Sequence, residues 1–224
     1  GVSILLSQAI GAKEQRKAES LIATSFCVAV AFSVLVSALL ELFLPSILTV
    51  LNTPVETYDM AYNYLSIYVL GYLAIYLYCY FTAVLRSFGN SMFQAIAMLT
   101  TTILNAILDP IFIHFIGFNG AATATLLSET ICLLFMLIYL KKKKLFSFHL
   151  SDFDSSYIRP LVQKAIPSVI QQSIPAISTT FLTALVSTYS ITAIAAYGVA
   201  GKLEIIVFYP AMALNMVLTT IVGQ

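Results

Sequence analysis

Charged residues are scarce in this chain of 224 residues, and tryptophan is absent. Lys, Arg, Asp and Glu together make up 9% of the residues, against about 25% in average soluble domains. Hydrophobic residues make up 60%, and the mean hydropathy is +0.94. Since the net charge is only +1, the chain also lacks the basic surface that nucleic acid requires. These shortages exclude an ordinary soluble domain and a nucleic-acid partner, and they favour a lipid environment.

Cysteine is rare as well. Cys27, Cys79 and Cys132 are isolated in apolar stretches and form no CxxC motif. That spacing predicts neither a disulfide framework nor a zinc site. Because the Ser, His and Cys residues also form no triad pattern, we expect no enzyme activity and no cofactor.

Long apolar runs without charge dominate what is present. A helix needs about 20 apolar residues to cross the hydrocarbon core. Four runs approach or exceed that length, over residues 20–40, 60–85, 87–108 and 205–223, and a fifth, over 165–201, is broken by a polar turn. The pattern predicts an all-α, polytopic membrane helix bundle. Its predicted helices lie at about 1–10, 19–43, 59–86, 91–114, 120–140, 161–187 and 192–223.

Basic residues are confined almost entirely to alternate connections. Ten of the eleven Lys and Arg residues lie in or beside the first, third and fifth of them, whereas the others contain Glu56, Asp59 and His114 and no arginine. Lysine and arginine accumulate in cytoplasmic loops. We therefore predict that the loop after residue 10 and the segment 141–160 are cytoplasmic.

The segment 145–158 mixes aromatic and acidic residues and has no spanning run. It predicts a cytoplasmic linker over 141–160, between first-lobe helices at 1–140 and the start of a second lobe at 161–224.

A short internal sequence similarity, the echo between residues 5–8 and 221–224, also favours two lobes. The first predicted helix ends in Leu5-Leu-Ser-Gln8 and the last in Ile221-Val-Gly-Gln224, as a repeated membrane fold would require. Because both termini lie in apolar helical stretches, we expect the sequence to be an excerpt of a longer chain.

Asp109 is the leading functional candidate, because a charge inside the membrane costs about 2.5–3.5 kcal/mol on insertion scales. Asn105 lies four residues earlier, on the same helical face. Pro110 cannot donate to the carbonyl of Ala106, so a kink and a freed backbone acceptor are predicted. These oxygens suit Na⁺ or a proton relay. The alternative is a buried aspartate that serves only as a structural hydrogen-bond partner.

A secondary polar site is predicted from Glu129, Gln171 and Gln172. Glu129 shares a helical face with Thr125, so it is either a second titrating group or a packing residue near the cytoplasmic end. The two glutamines lie between Pro167 and Pro175, and two prolines in one span predict a bendable helix whose glutamines avoid lipid.

Tyrosines recur every four residues along the predicted 59–86 helix, at positions 64, 68, 72, 76 and 80. Tyr68, Tyr72 and Tyr76 are candidates to line a cavity for cationic or amphiphilic guests, because ring faces attract cations. Helix packing and anchoring at the membrane interface are the alternative reading.

Three motifs carry a family resemblance. They are Ser7-Gln8-Ala-Ile-Gly11-Ala12-Lys13, Asn105-Ala-Ile-Leu-Asp109-Pro110-Ile-Phe-Ile113 and Gly120-Ala-Ala-Thr-Ala-Thr125. Together they resemble the bacterial branch of the multidrug and toxic compound extrusion (MATE) transporters. The resemblance implies an excerpt covering about helices 2 to 8 of twelve, in a fold of two six-helix lobes. It further implies a multi-pass protein of the bacterial inner membrane that is monomeric when full length.

The same resemblance implies a secondary antiporter that exports cationic amphiphilic compounds in exchange for Na⁺ or H⁺. Its ion site would join Asp109, Asn105 and Thr125 to an aspartate of helix 1, which precedes this sequence. Where some members carry a glutamate in helix 7, this chain has none between Pro167 and Pro175. The rivals are a lipid-linked oligosaccharide flippase of related fold, which should have a strongly cationic cavity, and a non-transporting membrane scaffold.

Overall fold

The computed structural model describes residues 1–50, 55–144 and 147–224. Within those residues eight α-helices follow one another: α1 Val2–Gly11, α2 Gln15–Val50, α3 Val55–Leu70, α4 Tyr72–Ser87, α5 Ser91–Ile116, α6 Asn119–Lys143, α7 Ile158–Ser187 and α8 Ile191–Gly223. Two single-turn 3-10 helices, Leu150–Asp152 and Ser155–Tyr157, lie between α6 and α7.

Helix length and composition fit a membrane environment. In the part of the chain that the structure describes, five helices are long and apolar enough to cross a membrane, or six if α3 and α4 together form one span. Those five, α2 and α5 to α8, contain 25 to 36 residues each, more than the roughly 20 that a span needs. The upper count agrees with the six predicted helices of spanning length that follow the short helix at 1–10.

The predicted single helix over 59–86 is wrong. The chain forms α3 and α4 instead, and Tyr58–Leu70 is bent by 48° relative to Tyr72–Ser87. Gly71 lies at the break, where a Cβ atom would overlap the side chain of Leu126 in α6. Because a glycine weakens the helix and leaves room for a neighbouring side chain, the bend forms there. The predicted tyrosine ladder is therefore divided between two helices.

Helix α2 extends past its predicted end at residue 43. It continues through Pro45 to Val50, and the Thr49 hydroxyl donates to the Pro45 carbonyl at 2.9 Å. A proline removes one backbone donor, that of the bond to the residue four earlier, but it did not end this helix. The predicted separation between the helices at 19–43 and 59–86 includes the breaker segment Asn52-Thr-Pro54, which lies outside the described residues.

The predicted separations between residues 86 and 91 and between residues 114 and 120 are confirmed at the ends of α5. Gly89 and Gly117 adopt φ angles of 77° and 83°, a region that glycine enters without steric cost. Asn90 caps the start of α5, since its side chain accepts a hydrogen bond from the backbone N–H of Phe93 at 3.3 Å. The Asn90 amide also donates to the Tyr139 hydroxyl at 2.7 Å, which ties this end of α5 to α6.

The described chain divides into two compact units. One contains Glu19–Asp154, with most of α2 and all of α3 to α6. The other joins Gly1–Ala18 to Ser155–Gln224, so that α1 packs with α7 and α8. This packing does not decide the boundaries of repeated lobes, and the predicted lobe division stays a prediction.

In the second unit the two echo segments cross each other. A Cβ atom on Gly11 would lie 2.6 Å from the Gln224 Cα, and one on Gly223 would lie 2.7 Å from the Ser7 Cβ. The glycines therefore allow the backbones of α1 and α8 to approach closely. The hydroxyls of Ser7 and Thr220 are both buried without a hydrogen-bond partner.

The end of the predicted linker packs against the start of α2. The Ser20 hydroxyl donates to the Asp152 carbonyl at 2.7 Å, and the Asp154 backbone N–H donates to the Thr24 hydroxyl at 3.0 Å. These bonds satisfy backbone groups that a free loop would leave to water. Residues 147–154 are therefore held on the surface of the first unit.

Candidate ion-coupling site

Close packing of α5 and α6 creates the frame of the site. Their two-residue connection makes the helices antiparallel neighbours. A Cβ atom on Gly120 would overlap the backbone of Phe112. The two helices can therefore approach this closely only because residue 120 has no side chain. Helices α3 and α4 also pack against α6. Side chains between these helices can therefore meet across the pair.

A hydrogen bond joins two of the predicted site residues across this pair. The Asn105 Nδ2 donates to the Thr125 Oγ1 at 2.9 Å. The Thr125 hydroxyl in turn donates to the Ala121 carbonyl at 3.1 Å, one turn earlier in α6. A hydroxyl has one donor and two acceptor positions, so one lone pair of Thr125 is left for another partner. The structure thereby brings together groups 20 residues apart in the sequence.

Asp109 lies one turn beyond Asn105 on α5. The residue is half-buried, and its Oδ1 is buried without a hydrogen-bond partner. A buried carboxylate oxygen without a partner costs more than the roughly 1–3 kcal/mol of a neutral group. The position would therefore be stabilised by a cation or a proton. Helix α5 continues through Pro110 to Ile116, so the predicted kink and freed carbonyl stay predictions.

One tyrosine of α3, Tyr64, interacts with Asp109, and a second, Tyr68, packs against Tyr64. The interaction of Tyr64 with Asp109 is electrostatic, and the ring centroids of Tyr64 and Tyr68 lie 5.1 Å apart. The Tyr64 ring also packs against Phe118, at the start of α6, with centroids 5.0 Å apart. Sequence reasoning included Tyr64 in the ladder but not among the cavity candidates. The four-residue spacing alone does not tell which of these tyrosines interacts with Asp109.

The other predicted cavity tyrosines lie beyond the bend. Tyr72 and Tyr76 of α4 have ring centroids 5.8 Å apart, and Tyr76 also approaches Phe32 of α2 at 6.1 Å. Tyr68 thus packs against Tyr64 of α3, whereas Tyr72 and Tyr76 belong to the packing of α4.

A second polar group lies on the side of the bend that contains α4. Glu129 is half-buried, and its Oε2 has no hydrogen-bond partner. It interacts electrostatically with Tyr78, whose hydroxyl accepts a hydrogen bond from the Thr101 hydroxyl at 3.2 Å. Sequence reasoning missed Tyr78 and Thr101. The available signal was the spacing of Thr101, which precedes Asn105 by four residues and so shares its face.

Glu41 is a further half-buried acid that sequence reasoning missed. Its Oε1 accepts a hydrogen bond from the Ser66 hydroxyl of α3 at 2.8 Å, and its Oε2 is buried without a partner. The residue was overlooked because it directly follows the uncharged run at 20–40 and the helix was predicted to end at 43. In the longer α2 it lies inside the helix.

The remaining predicted residues lie on α7. Gln171 and Gln172 are exposed, and α7 continues through Pro167 and Pro175 without a break. Within the described ranges, no three His, Cys, Asp or Glu side chains gather in one place. Asn105 and Thr125, one turn from Asp109, carry amide and hydroxyl oxygens, which together with a carboxylate form a donor set that suits hard cations.

Comparison with known proteins finds a family match. A family model described as MatE matches residues 1–111. The probable multidrug resistance protein YoeA of Bacillus subtilis is 28% identical over 167 residues, which are 72% of this chain and 35% of the relative. The multidrug export protein MepA of Staphylococcus aureus is 31% identical over 144 residues, which are 63% of this chain and 32% of the relative. Residues 1–111 of the chain thus match the MatE family.

Solved structures show the same fold. A crystal structure of a mutant of the Vibrio cholerae MATE transporter VcmN superimposes with a TM-score of 0.90 at 24% identity, covering 99% of this chain and 51% of that one. An outward-facing multidrug resistance MATE family transporter of the MOP superfamily gives 0.89 at 23% identity, covering 98% and 50%. The predicted MATE-type, all-α membrane bundle is thereby confirmed, and with five or six apolar helices of spanning length the chain is a multi-pass membrane protein. It spans between 32% and 41% of the length of the curated relatives.

Proposed function

We propose that the full-length protein is a secondary active antiporter of the bacterial inner membrane. It would export cationic, amphiphilic small molecules in exchange for Na⁺ or H⁺. The relatives named as multidrug resistance and export proteins support the efflux part of this proposal. The coupling part depends on one observation, the buried and unpartnered Oδ1 of Asp109 one turn from the Asn105–Thr125 bond.

The orientation proposed from the basic loops places Asp109 near the outer side. If the loop after residue 10 is cytoplasmic, α5 begins at its cytoplasmic end, and Asp109 lies about 27 Å along a helix that crosses a core of about 30 Å. A cation driven inward by its gradient would reach this carboxylate early. It would then have to cross most of the membrane to leave, and the segment 141–160 would face the compartment that it enters.

Coupling would follow from the charge of the site. An ion shifts a conformational equilibrium only by its differential affinity for the two states. With Asp109 empty and charged, burial of the site is costly, and with a Na⁺ or proton bound the charge is neutralised. Occupied and empty protein would therefore favour different conformations. Asn105 and Thr125 would supply neutral oxygens to a Na⁺, and Pro110 would be the place where α5 changes its bend.

Aromatic residues would hold the exported compound. Tyr68, Tyr72 and Tyr76 combine ring faces that attract cations with hydroxyls that hydrogen-bond polar groups. Gln171 and Gln172 are the corresponding polar candidates on α7, where their exposure leaves them accessible to a ligand. The full-length protein would act as a monomer and would need no cofactor besides its coupling ion.

Asp109→Asn in the full-length protein tests the proposal. In vesicles loaded with a cationic dye, the wild-type protein should extrude dye when a Na⁺ or H⁺ gradient is applied, and the variant should not. We expect efflux to fall by about tenfold or more, within the 5–150-fold range typical of coupled sites. Asp59→Asn makes the same chemical change at an exposed carboxylate and should leave efflux intact.

Three outcomes would contradict the proposal. Undiminished efflux by Asp109→Asn would remove the carboxylate from coupling. Translocation of a lipid-linked oligosaccharide by the wild-type protein, without dye efflux, would favour the flippase. Neither activity, together with an Asp109→Asn variant of equal or greater stability, would favour the scaffold.

A further inference from the structure

A line of polar groups continues from the Asp109 site along α5 and α6 toward the end that the basic loops assign to the cytoplasm. On α5, Asp109, Asn105 and Thr101 follow one another at four-residue intervals and therefore share a face. On α6, Thr125 and Glu129 have the same spacing. Two hydrogen bonds mark the line, Asn105 to Thr125 at 2.9 Å and Thr101 to Tyr78 at 3.2 Å.

The spacing of these groups suits stepwise passage of a small cation. Consecutive groups on one helix are about 6 Å apart, one turn of 5.4 Å pitch. Thr101 therefore lies about 12 Å closer to the cytoplasmic end than Asp109. Hydroxyl and amide groups between two carboxylates can solvate a Na⁺ or exchange a proton in turn.

Glu129 is the acidic residue on this line below Asp109. Its Oε2 is buried without a hydrogen-bond partner, as is the Oδ1 of Asp109. The titratable groups that face it from α4 are Tyr78 and Cys79, which both interact with it electrostatically. Thr101 reaches it from α5 through Tyr78.

The charged group that follows Glu129 on this side is a base. Arg86 of α4 interacts electrostatically with Cys79, and its Nε donates to the Gln94 Oε1 at 3.2 Å. A cation that leaves Glu129 toward the cytoplasm would meet this guanidinium, and like charges repel. Arg86 would therefore favour release over further binding. Cys79 interacts electrostatically with both Glu129 and Arg86, so the acid and the base lie on either side of it.

We propose that Glu129 is a second cation-binding group, which holds the Na⁺ or proton on its way from Asp109 to the cytoplasm. The inference rests on the proposed antiport function and adds a step to it. For a proton, the Asp109 carboxyl group loses it, and the Glu129 carboxylate gains it through intervening hydroxyls or water. For Na⁺, the ion exchanges one carboxylate and its neutral oxygens for the other. Packing alone would not call for an unpartnered carboxylate, since a buried charge is costly there.

The test uses full-length protein with wild-type sequence, Glu129→Gln, Asp109→Asn and, as the control, Glu14→Gln at an exposed carboxylate. One assay measures displacement of bound dye by Na⁺ or H⁺ at equilibrium in detergent. The other uses vesicles and follows dye efflux together with arrival of the cation at the cytoplasmic side. Internal ²²Na⁺ reports sodium, and a pH-sensitive dye reports protons. The two cation arms therefore identify the ion.

Glu129→Gln should affect transport in vesicles but not displacement of dye in detergent. Because Asp109 is intact, the cation concentration for half-displacement should stay within about twofold of wild type, the usual limit for independent sites. Cation delivery and efflux should fall by about tenfold. Asp109→Asn should lose both, and Glu14→Gln neither.

If Glu129→Gln delivers the cation to the cytoplasmic side at the wild-type rate, the second site is overturned and the proposed antiport function is unaffected. Loss of displacement as in Asp109→Asn would overturn the separation into two steps. A wild-type protein without cation-driven efflux would instead reject the proposed function and this inference with it. If Glu129→Gln does not fold, Tyr78→Phe replaces it, because this variant removes only the hydroxyl beside Glu129. It should reduce delivery without altering displacement, and wild-type delivery would again overturn the proposal.

Discussion

Thr125→Val is a sharp test of the contact between α5 and α6. The Thr125 hydroxyl accepts a hydrogen bond from Asn105 and donates one to the Ala121 carbonyl, at 2.9 and 3.1 Å. Valine has nearly the same shape, so the variant removes both bonds and almost no volume. Thr125→Ser is the matched control, because it keeps the hydroxyl and removes only a methyl group.

The structure allows the two effects of this change to be estimated separately. An interhelical hydrogen bond in a membrane protein contributes about 0.6 kcal/mol on average and at most about 1.7 kcal/mol. The bond to Ala121 adds little, since that carbonyl already belongs to the helix. Thr125→Val should therefore lower the free energy of unfolding by about 1 kcal/mol without Na⁺. If Thr125 also binds the cation, Na⁺ at 100 times its Kd adds about 2.7 kcal/mol in the wild type, and the variant should lose most of it.

The assay is denaturant unfolding of the full-length protein in detergent, followed by far-UV circular dichroism at 222 nm. Each variant is measured in NaCl and in choline chloride at equal pH and ionic strength. We expect the gap between Thr125→Val and Thr125→Ser to be larger in NaCl. A gap of equal size in both salts would show that Thr125 stabilises the helix pair but does not bind Na⁺. No gap in either salt would refute the bond to Asn105 as a stabilising contact.

Two further predictions concern close approaches of helices, and both are measured by the same unfolding assay. Gly71→Ala should lower the free energy of unfolding by about 1–3 kcal/mol because its Cβ overlaps Leu126, and Leu126→Ala in the same chain should restore part of the loss. Gly223→Ala should destabilise similarly by pressing on Ser7, whereas Gly198→Ala in the same helix meets no atom within 4 Å and should be neutral or stabilising. Equal stability of the two α8 variants would contradict the close crossing of α1 and α8, and a neutral Gly71→Ala would contradict the contact with Leu126.

Local patterns in the sequence predicted most of the helices. Apolar runs revealed the spans because each helix must satisfy its own backbone groups in lipid, whatever its neighbours are. The same reasoning failed where a neighbour decides the outcome. The segment 59–86 is as apolar as the other spans, but its bend at Gly71 depends on Leu126, which lies 55 positions later in the sequence. The continuation of α2 through Pro45 was likewise missed, because proline is only a weak sign of a helix end when the surroundings are apolar.

The candidate site was predictable in part. Asn105 and Asp109 were paired by their spacing on one helix, and Thr125 was assigned by family resemblance. The hydrogen bond between Asn105 and Thr125, the missing partner of the Asp109 Oδ1 and the position of Tyr64 could not be predicted, because they depend on how α3, α5 and α6 pack. Glu41 was overlooked because a charge next to the end of an apolar run is ordinarily assigned to the loop outside the membrane.

The sequence by itself determined that this chain is a helical membrane protein with an acidic residue inside the α5 span. Those properties depend on composition and on intervals of three or four residues, which every helix keeps regardless of its surroundings. Only the tertiary structure decided that Asn105 binds Thr125 and that Asp109 and Glu129 each keep an unpartnered oxygen. It also decided that a hydrogen bond from Thr101 to Tyr78 joins α5 to α4. Hydrogen bonding and burial join residues from different helices, and no local interval in the sequence encodes those distances.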